Sequence, residues 1–128
     1  FLGKVKEAVN GDVFDLCSSG LGDEQLAALL EDEQLVPTSQ IFRWRLRDVR
    51  LTHRGAELLA NVWSRDVQAI DLACNEIGAA GVESISRVMS NNLLRNLRRL
   101  DVSRNGLGDS SSALLSAALT VCPKLLRV

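Results

Sequence analysis

Few residues of this 128-residue chain have the types and spacing that metal binding or nucleophilic catalysis needs. His53 is the single histidine, and it has no aspartate or cysteine at ligand spacing. Cys17, Cys74 and Cys122 are an odd number without C-x-x-C spacing, which disfavours a disulfide scaffold or a zinc site and favours reduced thiols in a cytoplasmic protein. The chain has no glycine-rich phosphate loop and no G-x-S-x-G motif. We therefore expect no metal and no cofactor.

One carboxylate pair raises the question of catalysis, because two adjacent acids can share a proton as general acid and base. Asp71 and Asp101 occupy the same place in two similar segments of the chain. Repetition of a segment places such acids side by side without any selection for catalysis, and an open strand face does not exclude water. We therefore predict that the chain is not an enzyme and has no catalytic residues.

The charge of the chain is balanced, with 15 cations, 16 anions and a net charge of -1. No overall field favours nucleic acid or an acidic membrane, and an aromatic content of 4% is low for base stacking. No apolar run reaches the length of about 18 residues that a membrane span needs. Twelve of the 15 cations are arginine, which suits multidentate pairing with carboxylates. We predict a protein partner, for which an acidic surface is one option, with no nucleic acid and no membrane.

These charged residues lie within an internal repeat. Segments 67–77 and 97–107 both follow the pattern L-x-x-L-x-L-x-x-N-x-L. Similar apolar slots lie upstream and downstream. They are filled by Phe14, Leu16 and Leu21, by Ile41, Trp44, Leu46 and Leu51, and by Leu125 and Val128. The pattern predicts a single domain over residues 1–128 with about four repeats and the start of a fifth, as part of a longer chain.

Each copy continues into a stretch with helical spacing, so the predicted unit is a strand, a turn and a helix. Stacked units share one core, with parallel strands on the concave face and helices on the convex face. Trp44 and Trp63 are predicted to lie in that core. Asp23 and Asp109 stand where a carboxylate can cap a helix.

The recurrent asparagines Asn75 and Asn105 are predicted to point inward as a structural ladder and to satisfy backbone groups at the bend. Ser19 and Val49 replace them in the first two copies, which predicts a weaker ladder there.

Both ends of the chain raise alternatives. Residues 1–9 have helical spacing, as a cap or as the helix of a preceding repeat. Residues 124–128 match the start of a strand, and an open strand edge would allow self-association.

The turn Asn75-Glu-Ile-Gly-Ala-Ala-Gly81 and the Cys122-Pro-x-Leu125 sequence resemble motifs of leucine-rich repeats of the ribonuclease-inhibitor type. The resemblance covers roughly residues 11–128. It implies an α/β fold, a right-handed solenoid forming a horseshoe segment, used for protein recognition. It does not choose among members of the class, because the motif is architectural.

The repeat register leaves a set of charged positions on the concave face. Asp15, Arg45, Asp71 and Asp101 form one column, and strands about 4.8 Å apart place Arg45 between two carboxylates. One interpretation is that these charges only pair across strands. The functional interpretation is a net positive recognition surface. Its protein-binding residues are Phe42, Arg43, Arg45, Arg47, Asp71, Arg98, Arg99, Asp101 and Arg104.

The predicted function is a non-catalytic protein–protein interaction scaffold that uses this concave face. Two alternatives stay open. One is a regulator of a small GTPase, by resemblance to the Ran GTPase-activating class. The other is a cytoskeletal or flagellar structural repeat protein.

Overall fold

The computed structural model describes residues 8–91 and 93–119. It contains a sheet whose strands follow chain order: β1 (Val9–Asn10), β2 (Val13–Asp15), β3 (Arg43–Arg45), β4 (Ala69–Asp71) and β5 (Arg99–Asp101). The helices are α1 (Gly22–Leu30), α2 (His53–Val62), α3 (Gly78–Ser90) and α4 (Asp109–Leu119), with a 3-10 helix at Thr38–Gln40. Strand and helix alternate from β2 onward, so the fold is the predicted α/β repeat stack.

Strands β2 to β5 are parallel, and their register matches the predicted apolar slots. Phe14, Trp44, Ile70 and Leu100 lie side by side across the sheet, and each is almost fully buried. Alternating residues along a strand face opposite sides of the sheet, so this row fixes the intervening residues on the other face. The fold class predicted from the sequence is confirmed. The fifth copy, at Leu125 and Val128, lies outside the described residues.

The core lies between the sheet and the helices. Leu26, Leu59 and Ile85 on α1, α2 and α3 are fully buried in it. Trp44 and Trp63 are both buried there, as predicted. Phe14 and Trp44 meet edge to face, with ring centroids 5.5 Å apart, a favourable geometry for aromatic pairs.

Gly81 sits where helices α2 and α3 approach closely. It is buried, and a Cβ at this position would lie 3.3 Å from the Cβ of Ala56 and would overlap the side chain of Ile77. The second glycine of the Asn75–Gly81 turn therefore serves helix packing.

The N-terminal edge of the sheet is a short hairpin. β1 runs antiparallel to β2, pairing Val9 with Phe14 and Asn10 with Val13 across a tight turn. Gly11 has a φ of 62° in that turn, a conformation that glycine adopts without steric cost. The prediction that Val9 belongs to a helix is therefore wrong, while residues 1–7 lie outside the described part.

The turn after each strand bends through a residue with left-handed backbone. These residues are Ser18, Asp48, Cys74 and Arg104, with φ between 56° and 60°. Asn75 follows the third of them and is 6% exposed. Its Oδ1 accepts from Val49 N at 2.9 Å and from Leu51 N at 3.1 Å, so it holds the turn of the preceding repeat.

The amide nitrogen of Asn75 donates to the carbonyls of Leu46 and Leu72 at 2.8 Å and of Ala73 at 3.2 Å. Asn105 repeats this arrangement one copy later, donating to Leu72 and Val102 carbonyls and accepting from Ile77 N. Each side chain thus ties its own turn to the neighbouring repeat. In the first copy, the Ser19 hydroxyl is buried without a hydrogen-bond partner among the described residues.

Asp23 does not cap its own helix. The residue before α1 is Leu21, and no side chain caps that end. Asp23 instead accepts from Thr52 N at 2.9 Å and from the Thr52 hydroxyl. Thr52 in turn caps α2 by accepting from Arg54 N. The carboxylate joins two repeats because the neighbouring threonine offers two donors within reach.

Candidate concave-face interface

A cleft of about 450 Å³ lies over β3, β4 and β5 on the face opposite the helices. We call it the concave cleft, and its charged lining residues are Arg43, Arg45, Arg47, Arg99, Asp71 and Asp101. Six of the nine residues predicted from the sequence therefore come together. The other three lie outside the lining. Phe42 is half-buried just before β3, and Arg98 and Arg104 are exposed before and after β5.

The predicted column of Asp15, Arg45, Asp71 and Asp101 is present in the sheet register. Arg45 lies in register between Asp15 and Asp71, as the sequence predicts. Its Nη1 lies 3.2 Å from Asp15 Oδ2, and no ion pair between Arg45 and Asp71 occurs in the described part of the chain. Asp71 pairs with a different arginine.

That arginine is Arg47, which bridges two aspartates from two repeats. Its Nε lies 3.2 Å from Asp71 Oδ2 and its Nη2 lies 3.1 Å from Asp101 Oδ2. The hydrogen bond and the charge of Asp71 raise the pKa of Arg47, so this guanidinium stays charged. The two carboxylates that suggested acid–base chemistry are thus joined through a cation.

Arg47 reaches the fourth repeat by crossing the third. The third-repeat residue at its level is Ala73, whose carbonyl accepts from the adjacent Asp48 N. Ala73 is fully buried, and its side chain is only a methyl group.

Each aspartate of the column also has a structural role. Oδ1 of Asp15, Asp71 and Asp101 accepts from the backbone N–H two residues further on, at 3.0 to 3.1 Å. This local bond closes the turn after the strand, as aspartate side chains often do at turns. Turn geometry therefore accounts for the recurrence of aspartate at this position. The second carboxylate oxygen, Oδ2, of each aspartate forms the ion pair with an arginine.

Two arginines of the concave cleft have no such partner. Arg43 and Arg99 are exposed and form no ion pair with any residue in 8–91 or 93–119. They share a register position with Ala69, which lies between them on β4 and is half-buried. Ala69 is not among the residues predicted above to bind a partner. The sequence does hold a signal for it, because Arg43, Ala69 and Arg99 occupy equivalent positions of three successive repeats and only Ala69 is small.

A larger groove, of about 620 Å³, lies on the convex side between α1 and α2. Glu24 and Glu57 line it together with Arg54 and the half-buried Leu58. With Asp23 also in the lining, three acids outnumber the single arginine, so this groove carries a net negative charge. The concave cleft is the better candidate for recognition, because four arginines face two aspartates there.

The cysteines and the remaining titratable groups offer no second site within the described residues. Cys17 and Cys74 are both half-buried free thiols. Burial raises the pKa of the Cys17 thiol, and the adjacent Asp15 raises it further. Within the described ranges, no cluster of histidine, cysteine and carboxylate residues has the arrangement of a metal site. None of the helices in those ranges is long and apolar enough to cross a membrane.

Comparison with known proteins agrees with this architecture. A family model for the leucine-rich repeat matches residues 64–86 and 94–111, which contain β4, β5 and both ladder asparagines. The Tonsoku-like protein of Bos taurus is 32% identical over 124 residues, covering 94% of this chain and 9% of that protein. The Tonsoku-like protein of Mus musculus is 32% identical over 120 residues, covering 88% of this chain and 8% of that protein. The chain thus spans less than a tenth of the length of these relatives. Given the parallel register, the buried asparagines and these matches, the chain folds as a stack of leucine-rich repeats.

Proposed function

We propose that this chain is a non-catalytic scaffold that binds a partner protein along its concave strand face. The observation that carries the proposal is the concave cleft, where two arginines stay uncompensated while two others pair with aspartates. The strands fix the backbone positions of these arginines before a partner arrives, so the ordering cost of binding is confined to the side chains. The binding residues we assign are Phe42, Arg43, Arg45, Arg47, Asp71, Arg98, Arg99, Asp101 and Arg104.

The charge of this face supports a partner with an acidic surface. Four arginines and two aspartates line the concave cleft, and the exposed Arg98 and Arg104 add positive charge next to β5. Such a field accelerates association with an oppositely charged partner and disfavours a like-charged one. Phe42 offers an apolar contact beside Arg43, in the manner of an aromatic anchor.

The test is capture of a partner by wild type and by two matched double variants. Arg45→Glu with Arg99→Glu reverses the charge of the concave cleft, and Arg54→Glu with Arg87→Glu makes the same change on the convex helices. Exposed ion pairs contribute about 0–1 kcal/mol, so both variants should fold, which circular dichroism checks. We expect the first variant to lose the partner that wild type captures and the second to keep it. Loss with the convex variant alone would move the site to the helices.

The finer class of repeat belongs to the same proposal. A full helix follows each parallel strand, with 9 residues in α1 and 13 residues in α3, and this length supports the ribonuclease-inhibitor type. A cytoplasmic location fits the free thiols Cys17 and Cys74, and a fluorescent fusion would test it. GTP hydrolysis by candidate GTPases tests the regulator alternative, and co-localisation with filaments tests the structural one. Self-association through residues 124–128 concerns a segment outside the described residues.

A further inference from the structure

We propose that Arg43 and Arg99 form an arginine clamp that holds one carboxylate side chain of an acidic polypeptide segment above Ala69. The inference rests on the proposed protein-binding function and specifies the chemistry of the partner. It separates the arginines of the concave cleft into two groups with different roles.

Charge is divided unevenly within the concave cleft. Arg45 is paired with Asp15, and Arg47 is held between Asp71 and Asp101. A guanidinium already bonded to carboxylates within the chain has fewer free donors for a ligand. Arg43 and Arg99 keep their side-chain donors available, since neither has an ion pair in the described ranges. The uncompensated positive charge therefore lies at the register level of these two residues.

The spacing of the two arginines suits a shared ligand. Arg43 pairs in register with Ala69, and Ala69 with Arg99, so the two arginines stand two strands apart. Two strand spacings correspond to about 10 Å between their Cα atoms. The side chain between them is a methyl group, so a gap opens above β4. Two arginine side chains of this length can converge on one anionic group placed in that gap.

The proposed protein partner indicates the kind of anion. A guanidinium matches the two oxygens of a carboxylate in planar, bidentate geometry. Carboxylates are the anions that an unmodified protein segment carries, on its aspartate and glutamate side chains. We therefore assign a carboxylate, and a phosphate group is the alternative that the test below distinguishes. The scarcity of aromatic residues, 4% of the chain, gives no stacking platform for nucleic acid bases.

The test uses a fluorescein-labelled peptide of about twelve glutamates, with a glutamine peptide of equal length as the neutral control. Binding is measured by fluorescence anisotropy at physiological salt. We expect wild type to bind the glutamate peptide at least about tenfold more tightly than the glutamine peptide. The double variant Arg43→Gln with Arg99→Gln should abolish that preference. Equal binding of the two peptides by wild type would overturn the clamp.

Two further variants separate a clamp from diffuse attraction. Arg65→Gln with Arg87→Gln removes the same charge outside the concave cleft and should leave the preference within about twofold. Ala69→Leu changes no charge but fills the gap. Val13 occupies the same register position on β2, so a branched side chain is compatible with this level of the sheet, and circular dichroism checks that the variant folds. We expect Ala69→Leu to lose at least about tenfold in affinity for the glutamate peptide. An unchanged affinity with this variant would contradict the clamp geometry.

A third peptide carries phosphoserines at the same total charge as the glutamate peptide. If it binds more tightly than the glutamate peptide, the assignment of a carboxylate is wrong.

The outcomes of these experiments also distinguish the clamp from the proposed scaffold function. If partner capture depends on the concave face but binding of the glutamate peptide does not depend on Arg43 and Arg99, the scaffold function is supported and the clamp is refuted. If peptide binding requires Arg43 and Arg99 but partner capture depends on the helices, the clamp is supported and the proposed scaffold surface is refuted.

Discussion

The guanidinium of Arg47 lies 3.1 Å from the carboxylate of Asp101, although the two residues belong to the second and fourth repeats. It passes Asp71 of the third repeat on the way and bonds to it at 3.2 Å. Contacts in a repeat stack usually join nearest neighbours only. This side chain extends the coupling by one repeat, and it does so on the face that carries the proposed binding site.

Replacing Arg47 with alanine should lower the stability of the domain slightly and in a salt-dependent way. Both ion pairs are partly exposed, with Arg47 49% and Asp71 25% exposed, so water and salt screen them. Urea unfolding at low salt should show a lower midpoint than wild type, and the difference should shrink as salt is raised. Arg45→Ala, which removes a single pair with Asp15, is the control and should have a smaller effect. An effect of Arg47→Ala that is independent of salt would contradict the electrostatic explanation.

Replacing Asn75 with alanine should destabilise the domain strongly. The side-chain oxygen accepts two backbone hydrogen bonds, and the two N–H groups of the amide donate to three backbone carbonyls, of which the longest contact, to Ala73 at 3.2 Å, shares an N–H with another carbonyl. Val49 and Leu51, whose N–H groups it satisfies, are both fully buried. An unpaired buried group costs about 1–3 kcal/mol, so we expect a loss of about 3 kcal/mol in the free energy of unfolding.

Two variants calibrate that prediction, both measured by urea unfolding. Asn75→Asp keeps the acceptor but removes the donors, so it should be destabilised by a similar amount. Asn61→Ala, at an exposed position on α2, should change stability by less than about 0.5 kcal/mol. A loss below about 1 kcal/mol for Asn75→Ala would mean that water replaces the amide in these turns.

The repeat period made the framework predictable and left the side-chain pairing open. Trp44, Ile70 and Leu100 are aligned because each strand presents the same slot to one shared core, and the period reveals the slot directly. The partners of Arg47 and Asp23 depend on which donors and acceptors three successive repeats bring within reach. A long side chain has several staggered rotamers, and the choice among them is made by those neighbours. The arginines of the concave cleft could be named from sequence, but their division into paired and unpaired groups could not.

Replacing Arg50 with glycine should stabilise the domain. Arg50 has a φ of 61°, and the corresponding residues of the first and fourth repeats are Gly20 and Gly106 with φ of 64° and 68°. Left-handed backbone costs an L-residue about 1–2 kcal/mol, while glycine adds flexibility to the unfolded chain. We expect a net gain of about 0.5–1 kcal/mol in thermal or urea unfolding. Arg65→Gly, at an exposed turn residue without positive φ, is the control and should not stabilise the domain. A lower stability for Arg50→Gly would show that the packing of this side chain over Gly20 outweighs the strain.

Cys17 should react slowly with alkylating reagents, and its contribution to stability should fall at alkaline pH. Burial is the main cause that raises its pKa above the ordinary value of 9.0. The folded protein therefore holds the proton more tightly than the unfolded chain. The resulting stability is fully present below pH 9.0 and is lost as the pH rises through the folded pKa. The thiolate is the reacting species, so the rate with iodoacetamide between pH 8 and pH 9 should stay below that of glutathione.

That measurement requires a chain in which Cys74 and Cys122 are both replaced by serine, so that Cys17 alone reacts. Asp15 adds to the raised pKa through a hydrogen bond and its charge, so Asp15→Asn should bring the rate closer to that of glutathione. The same substitution also frees Arg45 from its ion pair, and that nearby cation favours the thiolate as well. Both effects act in the same direction. A Cys17 rate equal to that of glutathione in the background that retains Asp15 would contradict the assigned burial of the thiol.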